Sequence, residues 1–159
     1  MAAEYSANAI QTVAAGGSVI FTESPVPCNA GLIYHRDESG AFRLASPSAM
    51  NCGCRRRCGC SDYPTANYQV AFHANIQIPE DGEVEPISLA ISIDGQVDPS
   101  SIMTYTPAAV EELGNVGADV IVAVPCICRC SSVGVVNIGA QPIQVQNANI
   151  VFDFAGVRK

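Results

Sequence analysis

The sequence predicts an all-β domain, a sandwich or barrel of about ten short strands. Two observations lead to this prediction. Apolar residues recur at every second position over much of the chain, which is the spacing of a strand with one buried face. Thirteen glycines and ten prolines are spread between these segments, as expected where many short strands are joined by turns.

The clearest strand is Tyr68–Ile78, in which even positions are apolar and odd positions are polar or small. The turn residues Pro79–Gly82 end it. Ile87–Ile93 repeats the alternation, and Asp94-Gly95 follows as a tight-turn signal. Further strands are predicted at residues 11–13, 18–22, 31–35, 41–44, 102–106, 116–124, 133–137 and 143–154.

Residues 11–159 are expected to form a single domain, because a chain of this length supports one core. Residues 1–10 are expected to be a flexible N-terminal arm, and residues 46–66 form a loop rich in cysteine and arginine. The helical candidate is Pro107–Leu113, of one or two turns, with Thr106 as its N-cap.

The last predicted strand is apolar on both faces. Ile150, Phe152 and Phe154 share one parity, whereas Val145 and Val151 occupy the other. A strand that is apolar on both sides is buried on both sides, which in an antiparallel protein suggests contact with another subunit. These five residues are therefore candidates for a trimer interface.

The charge balance argues against a nucleic-acid partner. The net charge is −7, and a nucleic-acid-binding surface usually needs a basic footprint. No apolar stretch approaches the ~20 residues of a spanning helix, so membrane insertion is not expected. Residues 1–6 lack the features of a secretory signal, whereas eight cysteines indicate an oxidising destination or a metal. An extracellular or spore-surface location, reached by lytic release rather than secretion, satisfies both signals.

Five segments, taken in order, resemble the C1q/TNF-like domains of spore-forming bacteria and their phages. They are GLIYHRDESGAFRL at 31–44, YQVAFHANIQIP at 68–79, PISLAISIDG at 86–95, VAVP at 122–125 and PIQVQNANIVF at 142–152. The resemblance runs from Gln11 to Phe154 and implies an antiparallel jelly-roll sandwich of about ten strands. It also implies a homotrimer, in surface filaments or on spores. The sequence departs from this pattern because it lacks a Gly-X-Y stalk and carries more cysteines.

The cysteines are grouped as Cys28 alone, Cys52, Cys54, Cys58 and Cys60 in the loop, and Cys126, Cys128 and Cys130 at strand spacing. Alternate Cα atoms of a strand lie about 6.5–7 Å apart, so the last three would need partners elsewhere. Disulfides within or between subunits are the preferred interpretation. The alternatives are free thiols and a zinc site on Cys54, Cys58, Cys126 and Cys128; otherwise no cofactor is expected.

Arg55, Arg56 and Arg57 are interpreted as a solvated loop tip, or alternatively as a docking loop for the acidic segment 80–85 of the same or a neighbouring subunit. No catalytic residue is assigned, because none of the common nucleophile, phosphate-binding or zinc-protease motifs is present. A Cys28–His35 nucleophile pair lacks an orienting group, and His73 is interpreted as a strand-surface residue. Asp94 and Asp98 are interpreted as turn formers.

The sequence therefore favours a non-enzymatic structural subunit that assembles with itself. The expected product is a trimer, or a disulfide-linked fibre or coat built from trimers, on a bacterial spore or cell surface. The alternative is a trimeric binding module on a phage or cell surface, which recognises a receptor or a glycan through the loop at 46–66.

Overall fold

A computed structural model describes residues 2–28, 31–36, 38–46, 65–125 and 130–158. For residue 158 it describes the backbone only. These residues form two antiparallel β-sheets and a single turn of 3-10 helix at Pro99–Ser101. The strands are β1 (Ala2–Ala7), β2 (Gln11–Val13), β3 (Glu23–Val26), β4 (Ile33–His35), β5 (Phe42–Leu44), β6 (Thr65–Gln77), β7 (Ile87–Ile93), β8 (Gln96–Val97), β9 (Met103–Tyr105), β10 (Gly114–Pro125), β11 (Ser131–Asn137) and β12 (Ile143–Arg158).

The two sheets are named A and B. Sheet A has the order β10-β6-β12-β1-β3, with β2 also paired to β12. Sheet B has the order β4-β5-β11-β7-β8, with β9 also paired to β7. Each sheet buries one face against the other, so the alternating pattern of the sequence becomes an inner and an outer face. This confirms the predicted all-β architecture.

The core between the sheets follows directly from the alternation. On β6 the even-numbered side chains from Ala66 to Ile76 are buried, and the odd-numbered ones are exposed or half-buried. Phe42 is the centre of an aromatic cluster, with ring centroids 4.4 Å from His35, 4.8 Å from Phe152 and 4.9 Å from Tyr5. Each aromatic pair of this kind stabilises the fold by about 0.5–1.5 kcal/mol beyond the contribution of its buried apolar surface.

The predicted strand at 18–22 is wrong, although its alternation is real. Val19 and Phe21 are fully buried, but this segment crosses from one sheet to the other. The Val19 amide donates to Val135 O of sheet B at 2.8 Å, and the Thr22 amide donates to Ser6 O of sheet A at 3.1 Å. The burial pattern of a strand therefore persists while the backbone changes partners, and the strand proper is β3.

The expected flexible arm at residues 1–10 is also corrected by the structure. Ala2–Ala7 form β1, which lies between β12 and β3 in sheet A. Ala3, Tyr5 and Ala7 are buried in the core. Small residues give a weak apolar signal in the sequence, and only pairing with β12 reveals that they face inward.

The helix predicted at Pro107–Leu113 is absent, since this described segment contains only bends and a turn. Glu111 adopts the left-handed conformation (φ 58°), which a right-handed helix does not accommodate. The Glu112 carboxylate accepts hydrogen bonds from the amides of Ala108 (2.6 Å) and Ala109 (3.2 Å). A side chain therefore satisfies the donors at the start of the segment.

β12 contains a bulge that overturns the two-faced interpretation of its sequence. The register with β6 shifts between Gln146 and Asn149, and Asn147 has φ 51°. Val145 consequently lies on the same inner face as Ile150, and both are fully buried.

The trimer-interface candidates must be reassigned accordingly. Val145, Ile150 and Phe152 belong to the core of their own chain. Phe154 is half-buried and packs on that core, with its ring 5.5 Å from Tyr68. Val151, whose neighbours in the sequence are both buried, is the one candidate on the outer face of sheet A.

Candidate functional site

The outer face of sheet A carries small and amide side chains between a few charged ones. It is formed by the odd-numbered positions of β6 and by their register partners. Three rows cross β10, β6, β12 and β1 in that order: Ile121, Gln69, Asp153 and Ala2; Asp119, Ala71, Val151 and Glu4; Gly117, His73, Asn149 and Ser6. Small side chains let another protein surface approach the backbone closely.

Amide groups pair with each other at the end of this face remote from Ile121. Asn115 Nδ2 donates to Asn75 Oδ1 at 3.1 Å, and Gln77 Nε2 donates to Gln144 Oε1 at 2.5 Å. These neutral pairs satisfy their own hydrogen-bonding groups within the chain. These four residues therefore make this end of sheet A polar but add no charge to it.

The opposite end of the outer face holds a concavity of about 470 Å³, whose lining includes the polar residues Thr65 and Asn67. Ile121 and Val157 line it, with 61% and 44% of their surface exposed. Ala155 and Gly156 also line it; Gly156 has φ 114°, a conformation that side chains disfavour, and it lies at a second bulge of β12. Exposed apolar side chains grouped in this way mark interaction surfaces. We name this feature the Ile121 patch.

The acidic segment 80–85 connects β6 to β7 and is held in a defined conformation. Gln141 Nε2 donates to Glu83 O at 2.7 Å, and the Glu83 amide donates to Gln141 Oε1 at 3.0 Å. Glu80, Asp81 and Glu83 are exposed. The segment thus presents carboxylates to solvent from a fixed backbone, but its predicted docking partners Arg55, Arg56 and Arg57 lie outside the described residues.

Most of the predicted crosslink and zinc-site residues lie outside the described residues: Cys52, Cys54, Cys58, Cys60, Cys126 and Cys128. Cys28 is half-buried, and Cys130 is exposed immediately before β11. No disulfide joins these two cysteines. Within the part of the chain that the structure describes, no group of three or more His, Cys, Asp or Glu side chains could hold a metal ion.

His35 and the two turn carboxylates have structural contacts. His35 stacks on Phe42, and its Nε2 lies 3.0 Å from Ser39 O; because a carbonyl only accepts, Nε2 is the donor. Asp94 Oδ1 accepts from the Ser132 amide at 2.8 Å, and Asp98 Oδ1 accepts from the Ser100 amide at 2.9 Å. The interpretation of both aspartates as turn formers is confirmed.

Two tyrosines have a raised pKa. Burial raises the pKa of Tyr5, and the negative charge of the nearby Cys28 raises it further, although a hydrogen bond to the Cys28 backbone acts in the opposite direction. Partial removal from water raises the pKa of Tyr105, and the charge of Glu112 and its hydrogen bond to the phenol add to this rise. Both groups remain neutral near pH 7, so neither is a poised base.

The sequence matches no protein-family model and no curated protein. Its fold, however, is similar to solved structures. Eiger TNF from S. frugiperda superimposes with a TM-score of 0.61 at 10% identity, over 100% of this chain and 92% of that chain. Murine APRIL superimposes with a TM-score of 0.53 at 6% identity, over 99% and 98% of the two chains.

The chain therefore has a TNF-like jelly-roll fold. This confirms the fold that the resemblance implied, and at such low identity the comparison bears on the fold alone. No helix among the described residues is long and apolar enough to cross a membrane.

Sequence reasoning missed the Ile121 patch, although the sequence contained a signal for it. In the strand predicted at 116–124, Val120, Val122 and Val124 share the buried parity. Ile121 is a large apolar residue on the other parity, between Asp119 and Ala123. An apolar side chain on the otherwise polar face of a strand indicates contact beyond the chain's own core.

Proposed function

We propose that this protein is a non-enzymatic structural subunit that assembles as a homotrimer through the outer face of sheet A. The observation that carries the proposal is the Ile121 patch. Its exposed apolar side chains leave water when a second subunit covers them, which is favourable by roughly 25 cal/mol per Å² of buried apolar area. The resemblance to C1q/TNF-like domains also implies a homotrimer.

The charges on this face locate the contact. Asp119 and Glu4 lie across the same outer surface, where Glu4 Oε1 accepts a hydrogen bond from Asn149 Nδ2 at 2.5 Å, and burial of a carboxylate is costly unless the group is well paired. Close packing is therefore expected at the end formed by Ile121. The carboxylates are expected to stay hydrated or to pair with cations of the neighbouring subunit.

The assembled subunit is proposed to belong to a bacterial spore or cell surface, with disulfides that join subunits into a fibre or coat. Cys130 supports this proposal, because its thiol is exposed to solvent next to β11. An exposed thiol at the end of a strand can reach a neighbouring subunit without any change in the core.

Native mass spectrometry of the full chain tests the trimer. We expect a mass three times the 16.6 kDa of one chain. Ile121→Glu places a charge in the patch and is expected to give monomers. Ile102→Glu is the matched control, because Ile102 is also exposed (48%) but lies beside β9 of sheet B.

Circular dichroism must show that both variants fold. A wild-type monomer at high micromolar concentration would refute the homotrimer. A folded Ile121→Glu variant that remains trimeric would refute the assignment of the interface. Equal dissociation of both variants would show that added charge, rather than the patch, weakens the assembly.

Gel electrophoresis after boiling in detergent, with and without reductant, tests the covalent coat. High-mass species that collapse to one 16.6 kDa band only with reductant would support disulfides between subunits. A monomer band in both lanes would refute a disulfide-linked polymer and leave the non-covalent trimer intact.

A second candidate function is a binding module that recognises a glycan or receptor. One observation favours it: the exposed Tyr34 lines a pocket on sheet B together with Arg36 and Arg43. This pocket lies on the sheet opposite to the proposed subunit contact, so the two functions are compatible.

A further inference from the structure

A pocket of about 290 Å³ lies at the edge of sheet B, lined by Tyr34, Arg36, Ser39, Ala41 and Arg43. Tyr34 has 63% of its surface exposed. Arg36 and Arg43 are both exposed, and they carry the only guanidinium groups among the side chains that the structure describes. The pocket thus concentrates positive charge on a chain whose net charge is −7.

Strand pairing places these groups together. Tyr34 lies directly opposite Arg43 in the β4–β5 ladder. Their neighbours Ile33, Phe42 and Leu44 are buried, so Tyr34 and Arg43 project from the outer face. Arg36 lies two residues beyond Tyr34 and continues the same side of the hairpin. The small side chain of Ala41 leaves the space between them open.

The backbone beneath the pocket is fixed by the core and by the turn. His35 stacks on Phe42 with ring centroids 4.4 Å apart on the inner side of the hairpin. In the turn, the Ser39 amide donates to Arg36 O at 3.1 Å, and the Ala41 amide donates to Ser39 Oγ at 3.0 Å. The pocket is therefore held in place before any ligand arrives, which reduces the entropy lost on binding.

We propose that this pocket binds the carboxylate of an acidic sugar, such as a uronic acid unit of a polysaccharide. A guanidinium offers two parallel N–H donors to a carboxylate, and two guanidinium groups on one pocket favour an anion between them. The exposed ring of Tyr34 offers an apolar face to the C–H groups of the sugar ring, and its hydroxyl offers a polar tip.

The size and charge of the pocket match one acidic unit. Its volume lies just below the range of about 300–1,000 Å³ typical of small-molecule sites, which suits a single sugar unit. Glu38 is exposed in the same turn, with φ 59°, but it does not line the pocket. The two arginines are thus not covered by this carboxylate and face the open space.

This inference rests on the second candidate function, the glycan-binding module, and does not depend on assembly, because one chain supplies all five lining residues. The test is a titration of the full chain with glucuronic acid and with an oligouronate, in which NMR chemical shifts report binding. Two control ligands are titrated in parallel: glucose, which is a neutral sugar, and acetate, which is a carboxylate without a sugar ring. The same samples are measured by native mass spectrometry, which reports the oligomeric state separately.

We expect saturable binding of the uronic ligands, with affinity that falls as the salt concentration rises. Arg43→Gln and Tyr34→Ala should each weaken binding by about tenfold or more. Arg158→Gln is the matched control, because Arg158 belongs to β12 rather than to the β4–β5 hairpin, and the substitution removes one positive charge from the chain; affinity should stay unchanged. A milder Tyr34→Phe variant keeps the ring if Tyr34→Ala fails to fold.

Three results would overturn the proposal. They are absence of saturable uronate binding, binding of acetate or glucose as tight as that of glucuronate, and equal weakening by Arg158→Gln. Loss of trimers with intact uronate binding would refute the assembly proposal alone.

Discussion

Val145 and Ile150 lie five residues apart on β12, yet both side chains point into the same core. Their register partners, Ile76 and Phe72, lie four residues apart on β6. The additional residue on β12 belongs to the bulge around Asn147. Because side chains alternate along a strand, an odd separation would otherwise send one of the two residues to the outer face.

Deletion of Asn147 should therefore destabilise the protein far more than its substitution. Without the extra residue, the faces of the first part of β12 would be exchanged unless its register with β6 shifts. Ile143 and Val145 would then point outward, and Gln144 and Gln146 would point inward. We expect the free energy of unfolding in urea to fall by more than about 3 kcal/mol. Asn147→Gly keeps the bulge and tolerates φ 51°, so it should change stability by less than about 1 kcal/mol. Similar losses in both variants would contradict this account.

Phe42→Ala should remove the centre of the aromatic cluster. Phe42 is fully buried and contacts the rings of Tyr5, His35, Phe21 and Phe152. We expect a loss of about 3–5 kcal/mol in the free energy of unfolding. Phe154→Ala, at the half-buried end of β12, is the control and should cost clearly less. Equal costs would mean that the cluster around Phe42 adds nothing to stability beyond ordinary burial.

Asn137→Ala tests a buried polar anchor at the end of β11. Its Nδ2 donates to Gln141 O at 2.9 Å and to Val13 O at 3.1 Å, and its Oδ1 accepts from the Gly139 amide at 2.9 Å. The alanine variant would leave these backbone groups unsatisfied, at a cost of about 1–3 kcal/mol in thermal or urea unfolding. Asn137→Asp should cost at least as much, because a carboxylate cannot donate to the carbonyls. A neutral Asn137→Ala variant would show that water replaces the side chain.

Alkaline pH should destabilise the protein through its two perturbed tyrosines. The pKa of Tyr5 and of Tyr105 is raised in the folded chain above the ordinary value of 10.0. The unfolded chain therefore loses these protons first. Their contribution to stability is complete below pH 10.0 and is lost as the pH rises through the folded pKa values. Urea unfolding on both sides of this pH should show the fall, and the Tyr5→Phe/Tyr105→Phe double variant should reduce it. An unchanged pH dependence in that variant would assign the loss to other groups.

The sequence predicted most strands because their signal is local. β2 and β7 were predicted with the boundaries that the structure shows, and β10, β11 and β12 only with shorter ones. The strand predicted at 68–78 starts three residues after β6 begins and ends one residue beyond it. β1 was not predicted because alanine and serine carry little hydrophobic signal. The segment at 18–22 was mistaken for a strand because side-chain burial, which the pattern reports, does not say which sheet the backbone joins.

The candidate sites were less accessible to sequence reasoning. Tyr34 and Arg43 are nine positions apart, and only the β4–β5 register brings them face to face. Ile121 and Val157 come from β10 and β12, which lie on opposite sides of β6. Register and strand order are decided by the packing of the whole sheet, and a single sequence does not encode them in any short segment.

The sequence by itself determined the all-β class, the main strands and the inner face of most of them, because alternation of side chains is a property of each strand alone. The tertiary structure decided where that alternation is reset, which residues of β12 form the core and which surfaces stay open. The physical reason is that one bulged residue exchanges the two faces of a strand, and the backbone forms a bulge only when pairing with a neighbouring strand makes it favourable.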